Sequence, residues 1–274
     1  MNRFEGLFKP LNTLLMALMV AAFVAGCGDG GGSTPITFVS DPGPAGASPN
    51  LGTAGTYGVF ASSAAVTLAA NSLVVGDVGL NPAGACGGCA VGVTVTGAIH
   101  NGDAAAIQAQ SDFGAAYTDA ANRSTNACTL ADASELANAQ GACVGVTPGT
   151  PGPIYGPGLY RTANPILFTG TITLDAGGNA NAVFIFQTDA AITTGSNSIV
   201  LLANGAQAKN VWWMAGTAAT LGVSSKFKGT VIANGAAVQV LGGTAGDRTL
   251  VEGRLFSSGA AAGVDAFATV TVPQ

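Results

Sequence analysis

Short apolar runs alternate with turn-forming residues along most of the chain. Runs of Val, Leu, Thr and Ala such as 65–68 and 73–76 are separated by Gly, Asn and Ser. After an irregular segment at 124–158 the same pattern resumes and continues to Val272. Apolar and β-branched runs bounded by turn residues are typical of strands. The pattern therefore predicts a mostly β protein.

One stretch has a helical period instead. Asp103 is a favourable N-cap residue, and small apolar residues recur at helical spacing from there to about Arg123. The stripe consists of Ala106, Ala109, Phe113, Ala116 and Ala120. We predict one long helix over 103–123 whose small side chains pack closely against a sheet.

A degenerate internal repeat links the β-rich regions. Residues 67–76 align with 220–229, the segment 241–253 follows the same plan, and 193–200 does so more loosely. Each unit is a strand, a turn of Thr, Ser, Asn or Gly, and another strand. Such a unit cannot bury its apolar face alone, so the repeat predicts a stacked parallel β-solenoid. The turns lack the Gly-Gly-x-Gly-x-Asp pattern, so no calcium ion is expected to hold them.

The N-terminus has the features of an export signal. Arg3 and Lys9 precede an apolar run at 14–24 that is short for a membrane span. The run ends in Val-Ala-Gly before Cys27, which resembles a bacterial lipobox with an acylated cysteine; ordinary signal-peptidase cleavage nearby is the alternative. We predict a signal peptide at 1–26, a Gly/Pro-rich tether at 27–50 and one folded domain at 51–274, either anchored in the cell envelope or secreted.

Export also bears on the remaining four cysteines. An even number in an oxidising compartment suggests two disulfides with three possible connectivities. We favour Cys86–Cys89 and Cys128–Cys143, because each closes a short loop. A redox or zinc role for Cys86-Gly-Gly-Cys89 is the alternative, but the sequence has no second CxxC and a single histidine.

Composition narrows the function classes. The chain is 48% hydrophobic and only 8% charged, with a formal net charge of −5. High apolar content excludes a disordered chain, and the acidic balance argues against nucleic-acid binding through a basic face. The single histidine, His100, excludes a multi-histidine metal centre, and no cofactor is expected.

An enzyme is not expected either. No Gly-x-Ser-x-Gly elbow is present, and His100 precedes the helix, where a structural hydrogen bond is the simpler role. Four aspartates stand beside or near turn glycines, where carboxylates usually bond their own backbone: Asp77, Asp175, Asp189 and Asp247. A carboxylate pair facing one groove stays open as an alternative. Trp212 and Trp213 should face opposite sides of a strand, one in the core and one covering an edge or stacking on a sugar.

Several short motifs follow one another along the chain: TAGTYGVF at 53–60, GDVG at 76–79, TGAIHNGDAAAIQAQ at 96–110, GLY at 158–160, NAVFIFQ at 181–187, NGAQ at 204–207, VW at 211–212 and GRL at 253–255. In this order they resemble the microbial ice-binding (antifreeze) protein family. The resemblance covers about 51–272; the segment 124–158 departs from the shorter family connection. It implies a discontinuous, right-handed parallel β-solenoid of triangular section with one α-helix along a side.

The resemblance also implies a function and a site. Parallel strands repeat every ~4.7–4.9 Å, so threonine and serine hydroxyls in rows can anchor ordered water while methyl groups order the water between them. Thr194-Gly195-Ser196-Asn197 fits a turn motif, Thr-(Ala/Gly)-x-(Thr/Asn), that some members use. The expected ice-contacting residues are Thr67, Asn71, Ser72, Thr193, Thr194, Ser196, Asn197, Ser224, Ser225, Thr244 and Thr249. We predict a monomeric protein whose partner is an ice crystal; a cell-surface adhesin or carbohydrate-binding β-solenoid is the alternative.

Overall fold

The computed structural model describes residues 45–62, 65–89, 92–125, 127–130, 136, 146–147 and 149–274. These residues form one α-helix, α1 (Ala104–Asn122), and two 3-10 helices, Gly52–Thr56 and Ala208–Asn210. Their strands, in chain order, are β1 (Tyr57–Ala61), β2 (Ala65–Leu68), β3 (Leu73–Val75), β4 (Asp77–Leu80), β5 (Ala85–Gly87), β6 (Thr94–Val95), β7 (Ile99–Asn101), β8 (Cys128–Thr129), β9 (Val146–Thr147), β10 (Ile154–Tyr155), β11 (Gly158–Thr162), β12 (Ile166–Phe168), β13 (Thr171–Asp175), β14 (Phe184–Thr188), β15 (Ile192–Thr194), β16 (Ile199–Ala203), β17 (Val211–Ala215), β18 (Ala219–Leu221), β19 (Lys226–Ala233), β20 (Val238–Val240), β21 (Thr249–Ser257), β22 (Ala262–Val264) and β23 (Ala268–Thr271).

The strands stack into three sheet faces. One face, against α1, has the order β7-β4-β1-β21-β19-β17-β14-β11-β8, and a separate seven-stranded sheet has the order β12-β15-β18-β20-β22-β2-β5. The third face has the order β6-β3-β23-β21-β19-β16-β13-β10-β9. The long strands β19 and β21 pass round a corner, so each belongs to two faces. In the described part of the chain the pairing is parallel except between β9 and β10.

The stacking order differs from the chain order. The first coil, β1-β2-β3, lies between the coil of β4 and the coil that ends in β23, because β1 pairs with β21, β2 with β22 and β3 with β23. After β7 the chain has reached one end of the stack, and α1 carries it to the other end, where β8 pairs with β11. The solenoid is therefore discontinuous, as the resemblance implies.

The helix lies where the sequence predicts it. Asp103 is its N-cap, and Oδ1 of Asp103 accepts a hydrogen bond from the backbone N–H of Ala106 at 2.8 Å. The five residues of the predicted stripe are its five buried residues. Phe113 contacts Phe60 and Phe256 of the sheet, with ring centroids 5.3 and 5.2 Å apart. Alanine on both sides of Phe113 lets the helix axis approach the sheet closely.

Two apolar layers hold the molecule together. Inside the solenoid, aromatic rings stack from coil to coil, with Phe186 and Trp213 at 4.3 Å between centroids. Trp212 points the other way and is buried beneath α1. The two tryptophans face opposite sides as predicted, but both are buried, so the sugar-stacking alternative for one of them is wrong. Burying a large side chain contributes about 1.5–3 kcal/mol, and stacked rows of them make the coils stiff.

The last residues of the predicted tether belong to the folded body. Ala45 is buried in the layer between α1 and its sheet. Arg123, which follows α1, donates hydrogen bonds to the carbonyl oxygens of Ala45 and Ala47, and Nε1 of Trp212 donates to Oγ of Ser48 at 3.1 Å. The predicted boundary at residue 50 is therefore wrong by at least six residues, because these backbone carbonyls satisfy donors of the fold. The rest of the tether and the signal peptide lie outside the described residues.

Among the described residues, no helix combines the length and apolar character that a membrane crossing requires. The predictions of a mostly β chain, parallel coils and a single flanking helix are confirmed.

Candidate functional site

The outward side of the seven-stranded sheet carries one straight row of side chains. In the three-residue strands β15, β18 and β20 the middle residue points away from the core while its two neighbours point inward, and the register places Thr67 of β2 and Gly87 of β5 at the corresponding positions. From strand to strand the row is Leu167, Thr193, Thr220, Gln239, Gly263, Thr67 and Gly87. The register is continuous along all seven strands, so the row is straight and about 29 Å long at the usual strand spacing.

A second outward row flanks the first and consists almost entirely of methyl groups. It is formed by the residues just before the buried part of the six strands from β15 to β5 in sheet order, which fall on the same side as the central row. Backbone hydrogen bonds fix the register of this row, because the residue after one member donates its N–H to the carbonyl oxygen of the next member. Examples are Ile192 N–H to Ala218 O and Ala219 N–H to Ala237 O, both at 3.0 Å. The row is Ala191, Ala218, Ala237, Ala261, Ala65 and Ala85.

A third row flanks the threonines on the other side. Its members follow the strands and are again linked by backbone bonds, as from Gly195 N–H to Phe168 O at 2.9 Å. The row is Thr169, Gly195, Gly222, Leu241, Asp265 and Ala69. Asp265 is the only charged side chain among the described residues of the three rows. We call these three rows the threonine face.

The threonine face suits an ordered water lattice better than a soluble ligand. Most of its positions are Ala, Gly or Thr, so few side chains stand above the sheet to enclose a small molecule. Two threonine hydroxyls, on Thr193 and Thr220, stand on neighbouring strands, and that of Thr67 stands three strands further along; the neighbouring methyl groups offer water no strong competing partner. A surface of this kind is complementary to a repeating solid.

Seven of the predicted site residues have side chains at least partly exposed. Thr67 and Thr193 lie in the central row of the threonine face. The others lie at the corner between the threonine face and the third sheet face or in the turn that precedes β21: Asn71, Ser196, Asn197, Ser224 and Thr244. The structure thus brings two of the predicted residues into the central row and leaves five beside it.

The other four predicted residues are buried, so as ice-contacting residues they are wrong. Ser72, Thr194, Ser225 and Thr249 are each at most 3% exposed. Oγ1 of Thr194 accepts a hydrogen bond from Gly222 N–H at 2.8 Å, and Oγ of Ser225 donates to Gly222 O at 2.7 Å. Oγ1 of Thr249 donates to Leu241 O at 2.7 Å. The hydroxyls of Thr194, Ser225 and Thr249 thus satisfy backbone groups of the tight corner that would otherwise be unpaired.

Left-handed backbone explains the polar residues at this corner. Asn71, Asn197 and Ser224 have φ values of 65°, 59° and 58°. Asparagine tolerates this region better than most residues, because its short polar side chain bonds locally. The turn geometry therefore explains why these polar residues recur in the repeat.

Sequence reasoning missed Thr220. Thr220 is aligned with Thr67 in the internal repeat, and in the structure it is the direct neighbour of Thr193. The signal was present: buried Ala219 and Leu221 flank it, so a period of two places Thr220 outward. The same rule places Thr193 outward and Thr194 inward.

The third sheet face is open to solvent too, but its chemistry differs. Nζ of Lys226 lies 2.7 Å from Oδ1 of Asp247, and Nζ of Lys228 lies 2.6 Å from Oε2 of Glu252. The hydrogen bond from Lys226, and then that from Ser224, lowers the pKa of the Asp247 carboxyl below its usual range. We call this surface, with its outward residues on β13, β16, β19, β21, β23 and β3, the ion-pair face.

His100 has a structural environment. Nδ1 of His100 lies 2.8 Å from Oδ2 of Asp103, the helix N-cap. The backbone N–H of Ala106, and then His100, lower the pKa of Asp103. Burial, with a smaller effect of the carboxylates of Asp77 and Asp103, raises the pKa of Tyr57 to about 12. This cluster fixes the start of α1, as the sequence predicted for His100.

The turn aspartates have bonded carboxylates, but among Asp77, Asp175 and Asp189 only Asp175 bonds a backbone group of its own turn. Oδ1 of Asp77 accepts from Ala98 N–H at 2.8 Å, Oδ1 of Asp175 accepts from Gly177 N–H at 2.8 Å, and Asp189 pairs with Arg161 at 3.5 Å. In the described ranges, no group of three or more His, Cys, Asp or Glu residues could hold a metal ion.

One favoured disulfide is confirmed. Cys86 and Cys89 are bonded to each other at β5, the terminal strand of the seven-stranded sheet. Cys128, at β8 on the opposite end of the stack, is also disulfide-bonded. Cys27 and Cys143 lie outside the described residues, so the Cys128–Cys143 pairing and the lipidation of Cys27 stay predictions.

Comparison with known proteins agrees with this architecture. The family model described as "Ice-binding-like" matches residues 60–267. An ice-binding protein of Nostoc sp. (strain HG1) is 33% identical over 183 residues, which cover 67% of this chain and 61% of that protein. Ice-binding protein K1-A of Typhula ishikariensis is 30% identical over 202 residues, 67% of this chain and 76% of that protein.

A solved structure resembles this chain over nearly the full length of the solved protein. The crystal structure of an ice-binding protein from the Antarctic ascomycete Antarctomyces psychrotrophicus superposes with a TM-score of 0.69 at 27% identity, covering 83% of this chain and 99% of that one. The family match extends over most of the solenoid, including β2 to β22 and α1. The chain therefore belongs to the ice-binding-like family.

Proposed function

We propose that this protein adsorbs to ice through the threonine face and thereby inhibits ice growth and recrystallisation. The observation that carries the proposal is the straight row of outward positions in continuous register on the seven-stranded sheet, which holds three threonines and has a row of alanines beside it. The names of the similar proteins support the same activity.

Rigidity supports the proposal. Affinity for ice has to come from many weak contacts, and each is useful only if its group is already in place before binding. The side chains behind the central row are fully buried: Ile192, Ala219, Val238 and Ala262 are 0% exposed. A row fixed from behind in this way loses little conformational entropy on adsorption.

An aromatic platform for a sugar needs an exposed ring, and both tryptophans are buried, so neither of them supports the carbohydrate-binding alternative. We infer a binding protein without a catalytic role or a cofactor, active as a monomer.

Thr220→Tyr tests the proposal. The ring would stand above the row and hold ice away from the neighbouring rungs, so thermal hysteresis should fall by most of its value. A surface substitution changes stability by less than about 0.5 kcal/mol, so circular dichroism and Tm should stay unchanged. The matched control is Thr271→Tyr on the ion-pair face, also partly exposed in a strand, which should keep full hysteresis. Equal activity of both variants would refute the proposed face.

We also infer that the protein works outside the cytoplasm. The leader at 1–26 and the two disulfide-bonded ends of the solenoid support this inference. If Cys27 is acylated, the mature protein should partition into detergent and Cys27→Ser should release it to the medium. Wild-type protein found free in the medium, with its N-terminus downstream of Cys27, would rule out the anchor.

A further inference from the structure

The central row of the threonine face is interrupted between two groups of threonines. Thr193 and Thr220 are direct neighbours, and Thr67 lies on the far side of Gln239 and Gly263. The interruption is in the middle of the sheet, because β20 and β22 are its fourth and fifth strands. An interruption at this place separates Thr193 and Thr220 from Thr67, whereas an interruption at an end would only shorten the row.

The Gln239 side chain fills the space above Gly263. A Cβ at Gly263 would meet the amide of Gln239 first, with Cδ at 2.7 Å and Nε2 at 3.0 Å. Nε2 of Gln239 also donates a hydrogen bond to Oδ1 of Asp265 at 2.7 Å. The glutamine is therefore held down along the sheet, across its neighbour and toward the third row.

Asp265 adds a charge to the same place. It is the single charged residue among the described residues of the three rows, and it lies beside the interruption. A carboxylate keeps strongly bound water around it, because removing that water is costly. Water held by an ion has liquid-like rather than lattice-like positions.

We propose that Gln239, Gly263 and Asp265 divide the threonine face into two patches and limit the affinity of this chain for ice. The inference rests on the proposed function. Two patches on one rigid body bind more strongly when ordered water can continue from one to the other. Gln239 covers the position of Gly263, and neither residue offers a hydroxyl group. Asp265 places a carboxylate between the two patches.

The double variant Gln239→Thr, Gly263→Thr tests the proposal. The three atoms nearest to the missing Cβ of Gly263 belong to Gln239, so removing the amide makes room for a side chain. The two changes complete a run of threonines from Thr193 to Thr67. Thermal hysteresis at equal concentration should rise by about twofold or more, and recrystallisation inhibition should persist at lower concentration.

Three further variants complete the experiment. Gly263→Thr alone should lift the amide off the sheet and lower hysteresis. Gln239→Thr alone changes no glycine, so it tests the idea even if the double variant fails to fold, and it should give a smaller gain. Asp265→Asn keeps a hydrogen-bond acceptor without the charge and should also give a gain.

The outcomes separate the two proposals. If Thr220→Tyr abolishes hysteresis while the folded Gln239→Thr and double variants show no gain, the divided face is overturned and the proposed function stands. If Thr220→Tyr has no effect, the proposed function fails and the division fails with it. Gains in both glutamine variants that Thr220→Tyr then removes would establish the proposal.

Discussion

The threonine face and the ion-pair face are built by the same coils at the same strand spacing, yet they present different surfaces to water. Both carry threonines: Thr173 and Thr271 point outward on the ion-pair face much as Thr193 and Thr220 do on the threonine face. The ion-pair face also carries two lysine–carboxylate pairs and two protruding leucines, Leu201 and Leu250, which are 39% and 42% exposed.

The difference shows that threonine content alone does not define a site on a solenoid. A row that orders water needs neighbours that are small and uncharged, and the alanine row supplies them on one face only. Ion pairs on the other face bind their own water and stabilise the rungs modestly. Under the proposed function, one face contacts ice and the other stays in liquid water.

The largest effect should come from moving charge between the faces. Thr193→Lys would place an ammonium group in the central row, and removing its water on contact with ice costs several kcal/mol. Since about 1.4 kcal/mol corresponds to tenfold in affinity, hysteresis should be lost almost completely. The matched control Thr171→Lys on the ion-pair face should be silent. A loss of hysteresis in both variants would show that the comparison of the faces is wrong.

A smaller effect should separate two neighbouring threonines. Thr194→Ala removes the acceptor of the Gly222 N–H, and a buried unpaired donor costs about 1–3 kcal/mol. In a domain of this size Tm should fall by about 2–4 °C per kcal/mol, with hysteresis retained in the cold. Thr193→Ala should do the opposite, with an unchanged Tm and lower hysteresis. Calorimetry and hysteresis on both proteins provide the check, and a shared pattern would contradict the inward and outward assignment.

The smallest effect concerns pH. The pKa of Asp247 is lowered in the folded protein by Lys226, so the stabilisation from this pair is complete above the unfolded value of about 3.9. It is lost as pH falls from there through the lower folded value. Tm should therefore decline on acidification in that window, and the decline should be slightly shallower in Asp247→Asn. Hysteresis of the still-folded protein should not follow the same curve, because Asp247 lies off the threonine face.

How far the sequence predicts this molecule depends on the length of the periodic signal. The helix stripe from Ala106 to Ala120 spans several turns, so its period is unambiguous and the burial of each residue follows. The strands of the threonine face have three or four residues, and a shift of one position exchanges inside and outside. The turn motif predicts that Thr194 points outward, whereas the period of two from buried Ile192 places it inward.

Corner residues are harder still. Ser225 and Thr249 are polar, lie next to a turn and recur in the repeat, which are the properties expected of exposed residues. Their burial follows from carbonyl groups in a tight corner that need donors. That requirement depends on how coils stack, which short sequence windows do not contain. The same holds for Ala45, whose carbonyl receives a bond from Arg123, far along the chain.

The seam where β1 meets β21 bears on how the protein is made. Val59 pairs with Leu255 and Leu73 pairs with Thr269, so residues about 200 positions apart must meet before the middle of the stack closes. Closing so long a loop carries an entropic penalty that no local contact offsets early. Folding should therefore be slow, and it should finish only after β23 has been synthesised and released. Until then, unpaired edges on both sides of the seam remain available to other chains, which makes the nascent protein dependent on protection from aggregation.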